Sequence, residues 1–315
     1  MSRIAKLLLP VALVVGLTPM ARAQVKLERK GFEGKTLTKE STSKIHQILN
    51  IAGQEVETDV EVVVTTSLAM GKRGTGDVIP ITVKTEALRA NMNLPGGMNI
   101  SFDSAAPPAK DDSPLGFVID LFRALVGSSY TVNVNDKGEA VSVEGTDKVL
   151  DKARELNPMA ADLMKGDLDP ERIKGNFKEE MGQLPDILVR PGDTWTRTEH
   201  RDIGSGQVLE FEKKYEYLGT VEKDGKTLDK LGVKATAVKY SQGGAGADQG
   251  LKVEKSDLKV DSSEGTLLFD REAGVFVEAQ TVDRIKGTMT MAIMGQTLNA
   301  DLDLTLDSLE TSTLK

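Results

Sequence analysis

Apolar and polar residues alternate with a period of two along much of this chain. The clearest case sets Leu298, Leu302, Leu304 and Leu306 on one face against Asn299, Asp301, Asp303, Thr305 and Asp307 on the other. Side chains in a strand point to opposite faces in turn, so this pattern predicts a half-buried strand of an antiparallel sheet. Val56, Val60, Val62 and Val64 alternate in the same way against Glu55, Glu57, Asp59 and Glu61. Further strands are predicted at 88–94, 98–102, 130–134, 140–143, 208–217, 233–240, 251–260, 266–269 and 275–282. Asn135-Asp136-Lys137-Gly138, Lys223-Asp224-Gly225 and Asp270-Arg271-Glu272-Ala273-Gly274 place Asp and Gly where hairpins turn.

Helical spacing is confined to three places. Val118, Leu121, Phe122 and Leu125 recur in a segment 113–127 that Ser113-Pro114 can cap and Gly127 can end. This helix is apolar nearly all round and should be buried against a sheet. Thr146 is expected to cap a second helix with Val149, Leu150, Ala153 and Leu156 on one side. Asp169-Pro170-Glu171 starts a third, with Ile173, Phe177, Met181 and Leu184 inward. Residues 24–145 therefore read as an N-terminal β-rich lobe, 146–186 as a helical connector, and 187–315 as a C-terminal β-rich lobe. The fold class is α+β, with two curved antiparallel sheets partly covered by helices. Ile51-Ala52-Gly53-Gln54 and Ile293-Met294-Gly295-Gln296 lead into similar alternating strands. Duplication and convergent turn chemistry explain that match equally well.

The first 23 residues have a different character. Arg3 and Lys6 precede an apolar run from Leu7 to Leu17, and Ala21-Arg22-Ala23 offers small residues for cleavage. Eleven residues at about 1.5 Å each cannot cross an apolar core of about 30 Å, so a signal peptide fits and a membrane anchor does not. The expected location is extracytoplasmic, in the periplasm or secreted, with no membrane span after cleavage. The segment carries three of the 40 basic residues and no acid, so the mature chain holds 37 against 48 acidic, a net charge of −11. Such a chain repels phosphate backbones, and nucleic acid is not an expected partner. There is no Cys, which excludes disulfides, thiol catalysis and Cys-based metal sites.

Candidate chemistry is sparse, and no residue is assigned as catalytic, cofactor-binding or metal-binding. His46 and His200 are the two histidines, and both read as surface residues. A Gly-x-Ser-x-Gly elbow and the paired-His zinc spacings are missing from the sequence, and Gly204-Ser205-Gly206 reads as a loop. Asp301 and Asp303 share a face and suit a hard cation, but a strand that shows acid to water gives the same pattern. Met289, Met291 and Met294 could offer thioethers to Cu(I), yet Met289, Met291 and Ile293 also alternate as an inward face. Trp195, after the Pro191-Gly192 turn, reads as a core anchor. With aromatics at 4% and no second Trp, a sugar-stacking platform has nothing to extend it.

Three stretches carry a resemblance: Tyr130 to Val143 with its Asn-Asp-Lys-Gly turn, Pro185 to Trp195 ending in Gly-Asp-Thr-Trp, and Gly265 to Val277 with Phe-Asp before its turn. With these the chain resembles an uncharacterised family of exported bacterial β-rich proteins, a domain of unknown function. The resemblance implies no activity and no site residues. At fold level the alternating strands and apolar helix resemble the lipoprotein-carrier half-barrel, in which a curved sheet wraps a helix beside an apolar cleft. The aromatic-rich strands expected to line a lipid cleft are missing here. The expected function is a non-catalytic extracytoplasmic carrier for an apolar small molecule, lipid or envelope component, with segment 113–127 as lid or plug. The alternative is a structural or protein-interaction module of the cell envelope.

Overall fold

The computed structural model describes residues 24–74, 77–107, 115–135, 137–204, 207–242, 251–293 and 296–315. Residues 1–23, where the sequence predicts a signal peptide, Ser113-Pro114, Asp136, Ser205-Gly206, residues 243–250 and Met294-Gly295 lie outside the described residues. The first half contains β1 (Thr36–Ile51), β2 (Gln54–Met70), β3 (Ile79–Leu94), β4 (Met98–Asp103), α1 (Gly116–Leu125), β5 (Ser129–Val134) and β6 (Ala140–Glu144). Then come α2 (Thr146–Leu156), α3 (Pro158–Met164) and α4 (Pro170–Met181). Six long strands follow: β7 (Thr194–Gly204), β8 (Gln207–Lys223), β9 (Lys226–Gln242), β10 (Leu251–Asp270), β11 (Val275–Ile293) and β12 (Gln296–Leu314).

All twelve strands belong to one antiparallel sheet, in the order β6-β5-β3-β2-β1-β12-β11-β10-β9-β8-β7, with β4 beside β3. The expectation of two sheets is corrected by β1, which pairs with β12 over fifteen residues and joins the two halves edge to edge. Alternation alone does not find β1. Its inward face reads Leu37, Lys39, Ser41, Ser43, Ile45, Gln47, Leu49 and Ile51, polar where it crosses the middle of the molecule. The two similar stretches connect β1 to β2 and β11 to β12, hairpins that lie side by side in the sheet. One hairpin maps onto the other by a shift of two strands.

The sheet is strongly curved. Arg201 on β7 donates a 3.2 Å hydrogen bond to Ser43 on β1, six strand steps away. A flat sheet at ~4.8 Å per strand would hold them roughly 29 Å apart. Extra residues at Leu218 of β8, Thr236 of β9, Glu254 and Asp261 of β10, and Val277 of β11 shift the register and supply the bends. The inner face carries the core. Leu209, Phe211, Ile285, Met289, Met291, Leu302, Leu304 and Leu306 pack together at one end of the long strands. Leu27, Tyr215, Leu231, Phe269 and Phe276 pack at the other.

Helices α1 and α4 sit against this inner face, and α2 and α3 pack on α1. On α1, Ile119 and Phe122 pack on Leu88, Ala90 and Ile100 of β3 and β4. Asp169 caps α4, its Oδ1 accepting from the backbone N–H groups of Glu171 and Arg172 at 3.0 Å each, with Pro170 in the first turn. In α2, Thr146 is the first helical residue, and the cap is Gly145 at φ 88°. Among the described residues no helix is long and apolar enough to cross a membrane.

Candidate functional site

At one end of the curved sheet the inner face opens into a groove of about 1440 Å³. Its floor is Leu37 and Lys39 of β1, Leu68 and Met70 of β2, and Ser312 and Leu314 of β12. Ile79, Ile81 and Val134 form one wall with Phe177 and Met181 of α4. The opposite wall is built by Leu228, Val275 and Val277 near the hairpin turns.

Two segments cover it. Ile173 and Phe177 of α4 rest on the apolar patch of Ile79, Ile81, Val132 and Val134. The stretch before β1 is laced to three places on the rim. Val25 and Val189 exchange two backbone hydrogen bonds of 2.9 Å, Lys30 N–H reaches Gly274 O at 3.3 Å, and Gly34 N–H reaches Met70 O at 2.8 Å. Leu27 is buried between these ties, in the cluster of Tyr217 and Phe276. The described part of the expected lid 113–127, residues 115–127, does not line this groove. Its helix, α1, is instead packed on β3 and β4, because a helix apolar nearly all round is fixed by burial rather than left to swing.

The deep end of the groove is charged. Lys39 Nζ lies 2.7 Å from Glu180 Oε1 on α4 and 3.2 Å from Glu310 Oε1 on β12. Arg29 Nη1 lies 3.4 Å from the same Glu180 oxygen, and its Nη2 donates to Glu180 O and Gln183 Oε1 at 3.1 Å each. The Arg29 guanidinium also lies over the Phe276 ring, 4.9 Å from its centre. Burial works to raise the Glu180 carboxyl, but the charges of Lys39 and Arg29 outweigh it and hold it below the ordinary range. Burial works to lower the Lys39 ammonium, and Glu180 and Glu310 outweigh that in turn, so it titrates above the ordinary range.

A polar layer continues from there across the interior, between the two apolar clusters. Lys213 stands 3.2 Å from Glu199 and 3.7 Å from Asp283, and Asp283 Oδ1 accepts from Ser263 at 2.5 Å. Asp283 is 1% exposed, and its Oδ2 has no hydrogen-bond donor among the described residues. These charged residues face inward from strand positions that sequence periodicity would assign to the core.

The residues singled out from sequence lie elsewhere. His46 is on the outer face, with Nδ1 2.7 Å from Asp59 and 3.8 Å from Glu57. Those three have ligand atoms within 4.8 Å of one another and could meet a metal ion, although Glu57 is exposed and the other two are half-exposed. His200 has Nδ1 2.6 Å from Glu179 and Nε2 3.4 Å from Glu210, so carboxylates face both ring nitrogens and, among the described residues, neither is hydrogen-bonded to a serine. Asp303 is engaged by Arg284 at 2.6 Å and Lys286 at 3.5 Å. Met289 and Met291 are buried in the core, as packing required. Trp195 stacks on Tyr215 at 5.5 Å with planes 8° apart, and its indole N–H donates to Gln183 O at 2.9 Å. It is an anchor at the edge of the core.

Residues 76–276 match the model of DUF6263, a family of unknown function, and the chain belongs to it. No curated protein matches the chain in sequence. Among solved structures, the chain is similar to lipovitellin in a study of lipid–protein interactions, at TM-score 0.41 and 9% identity, covering 90% of this chain and 25% of that one. It thus spans a quarter of the length of that lipovitellin chain. A protein of YmcC-like fold from Bacteroides fragilis aligns at TM-score 0.24 and 8% identity, covering 92% of this chain and 100% of that one. An outer membrane channel from Pseudomonas putida F1 aligns at 0.22 and 9%, covering 92% and 98%. At these scores the likeness brings no function to this chain.

Proposed function

We propose that this protein is a non-catalytic extracytoplasmic binding protein that carries an apolar or amphipathic ligand in the groove beneath α4. The observation behind this reading is the groove itself. Its volume of about 1440 Å³ exceeds the several hundred Å³ usual for a small-molecule site. Leu37, Leu68, Ile79, Ile81, Val134 and Phe177 give it apolar walls.

The mechanism is passive. An alkyl chain entering the groove exchanges water for these side chains at about 25 cal/mol per Å² of apolar surface. Met70 and Met181 adapt the walls to ligands of different shape. The sheet supports binding on the inside rather than the outside. Its outer face carries residues such as Lys44, His46, Asp59, Glu61, Asp301 and Asp303, whereas a strand that faces lipid is apolar outward. Export by segment 1–23 places the carrier outside the cytoplasm.

Native mass spectrometry of protein purified from its own host tests the reading. A folded species heavier than the mature chain, whose excess mass extracts into organic solvent as a lipid, is the expected result. A ligand-free protein that also takes up nothing from added host lipid would overturn it.

A further inference from the structure

The deep end of the groove holds two cations that share one carboxylate. Lys39 comes up from the floor and Arg29 from the covering segment, and their side chains are only 13% and 12% exposed. Glu180 of α4, which both of them face, is 39% exposed. The cations are therefore enclosed by the protein, while the anion they share is the more exposed partner. Arg29 is also incompletely matched. It meets the carboxylate through one nitrogen at 3.4 Å, takes two neutral oxygens besides, and leaves Nε with no acceptor among the described residues. A guanidinium paired well with a carboxylate or phosphate uses two parallel N–H donors. Glu310, the second acid on Lys39, is held by a further 3.2 Å hydrogen bond from Ser41 and belongs to the sheet.

We propose that Glu180 occupies the place of a ligand's head group, and that the groove takes a long-chain amphiphile with a single anionic head, a carboxylate or phosphate. The alkyl chain lies along Leu37, Leu68, Ile79 and Ile81. The head displaces Glu180 from Lys39 and Arg29. This rests on the groove being the binding site. Its distinct content is that Glu180 competes with the ligand, whereas a purely structural Glu180 would support binding or leave it alone.

The test measures the affinities of dodecanoate, dodecyl phosphate and dodecanol by titration calorimetry for the wild-type mature chain and for Glu180→Gln. The variant is expected to bind at least one of the anions about tenfold more tightly, the scale of one charge-assisted contact, with dodecanol unchanged. The anion with the larger gain identifies the head group. If dodecanol binds but the variant holds neither anion more tightly, the competition is refuted and the groove reading survives. If none of the three binds either protein, the groove reading itself fails. Should Glu180→Gln not fold, Lys39→Gln tests the same claim from the other side. It should bind both anions no better than dodecanol, and a retained preference for an anion would overturn the proposal.

Discussion

Lys39 and Glu180 are 141 residues apart and meet at 2.7 Å, which ties the helix over the groove to the strand that joins the two halves of the sheet. The pair makes stability depend on pH in two directions. Glu180 titrates below its ordinary 4.5 in the folded protein, so its contribution is present above that value and lost as pH falls through the folded pKa. Lys39 titrates above its ordinary 10.5, so its contribution is full below that value and lost as pH rises through the folded pKa. Urea unfolding at about pH 5 and about pH 3 should therefore show a larger loss of stability in wild type than in Glu180→Gln. Equal losses in the two proteins would show that the pair does not hold the helix.

A second buried charge fixes the far wall. Asp229 on β9 is 2% exposed. It accepts from Tyr217 at 2.8 Å and from both Nε and Nη2 of Arg271, in the turn between β10 and β11. Burial, then the Asp229 contact, pushes the Tyr217 hydroxyl up to about 12. Arg271→Ala strands the carboxylate in the interior, where an unpaired charge costs about 3–5 kcal/mol. Because Arg271 is 39% exposed and water can partly replace it, the expected loss is about 2–3 kcal/mol. Tyr217→Phe removes one hydrogen bond and should lose about 1 kcal/mol. Equilibrium denaturation separates the two, and a smaller loss from the arginine would contradict the account.

Two turn glycines offer a matched comparison. Gly274 and Gly225 have nearly the same backbone, at φ 71° and 75°. A Cβ on Gly225 would meet nothing within 4 Å, whereas on Gly274 it would lie 2.3 Å from the backbone N of Lys30. Gly225→Ala should cost only the left-handed strain, about 1 kcal/mol. Gly274→Ala should cost about 3 kcal/mol or more, because the covering segment must also be pushed off the rim. Thermal unfolding of both variants checks this, and equal shifts would show that the segment is not seated there.

Much of the strand content was legible from alternation, and the reason for each miss is physical. Leu298 to Leu306 read correctly because one face packs on the core and the other meets water. β1 did not, because Lys39, Ser41 and Ser43 point inward at the charged layer, which periodicity treats as solvent. Missing β1 removed the strand that makes one sheet out of two, since its partners β12 and β2 are far apart in sequence. The groove was hidden for the same reason. Its charged end joins Arg29 and Lys39 to Glu180 of α4 and Glu310 of β12, acids far away in sequence that only the folded sheet brings to them. Asp169 at the start of α4 was readable, because a cap is a local arrangement of neighbouring residues.

The outer face gives a spectroscopic prediction. The hydrogen bond to Asp59, with smaller help from its charge and that of Glu57, holds the His46 imidazole above its ordinary 6.5 despite some opposing desolvation. Any stability it contributes is therefore full below 6.5 and lost as pH rises through the folded pKa. With two histidines in the chain, NMR titration resolves this residue directly. Asp59→Asn should move the His46 midpoint down toward 6.5. An unmoved midpoint would show that the 2.7 Å contact does not persist in solution.

The groove is tested most directly with the neutral dye N-phenylnaphthylamine, whose fluorescence rises in apolar surroundings. Wild-type mature protein should give one saturable rise in a titration. Phe177→Arg, which places a charge in the wall, should abolish the rise, while Val141→Arg, at an exposed position outside the groove, should leave it intact. An absent rise in wild type, or one that survives Phe177→Arg in a folded protein, would contradict a ligand site beneath α4.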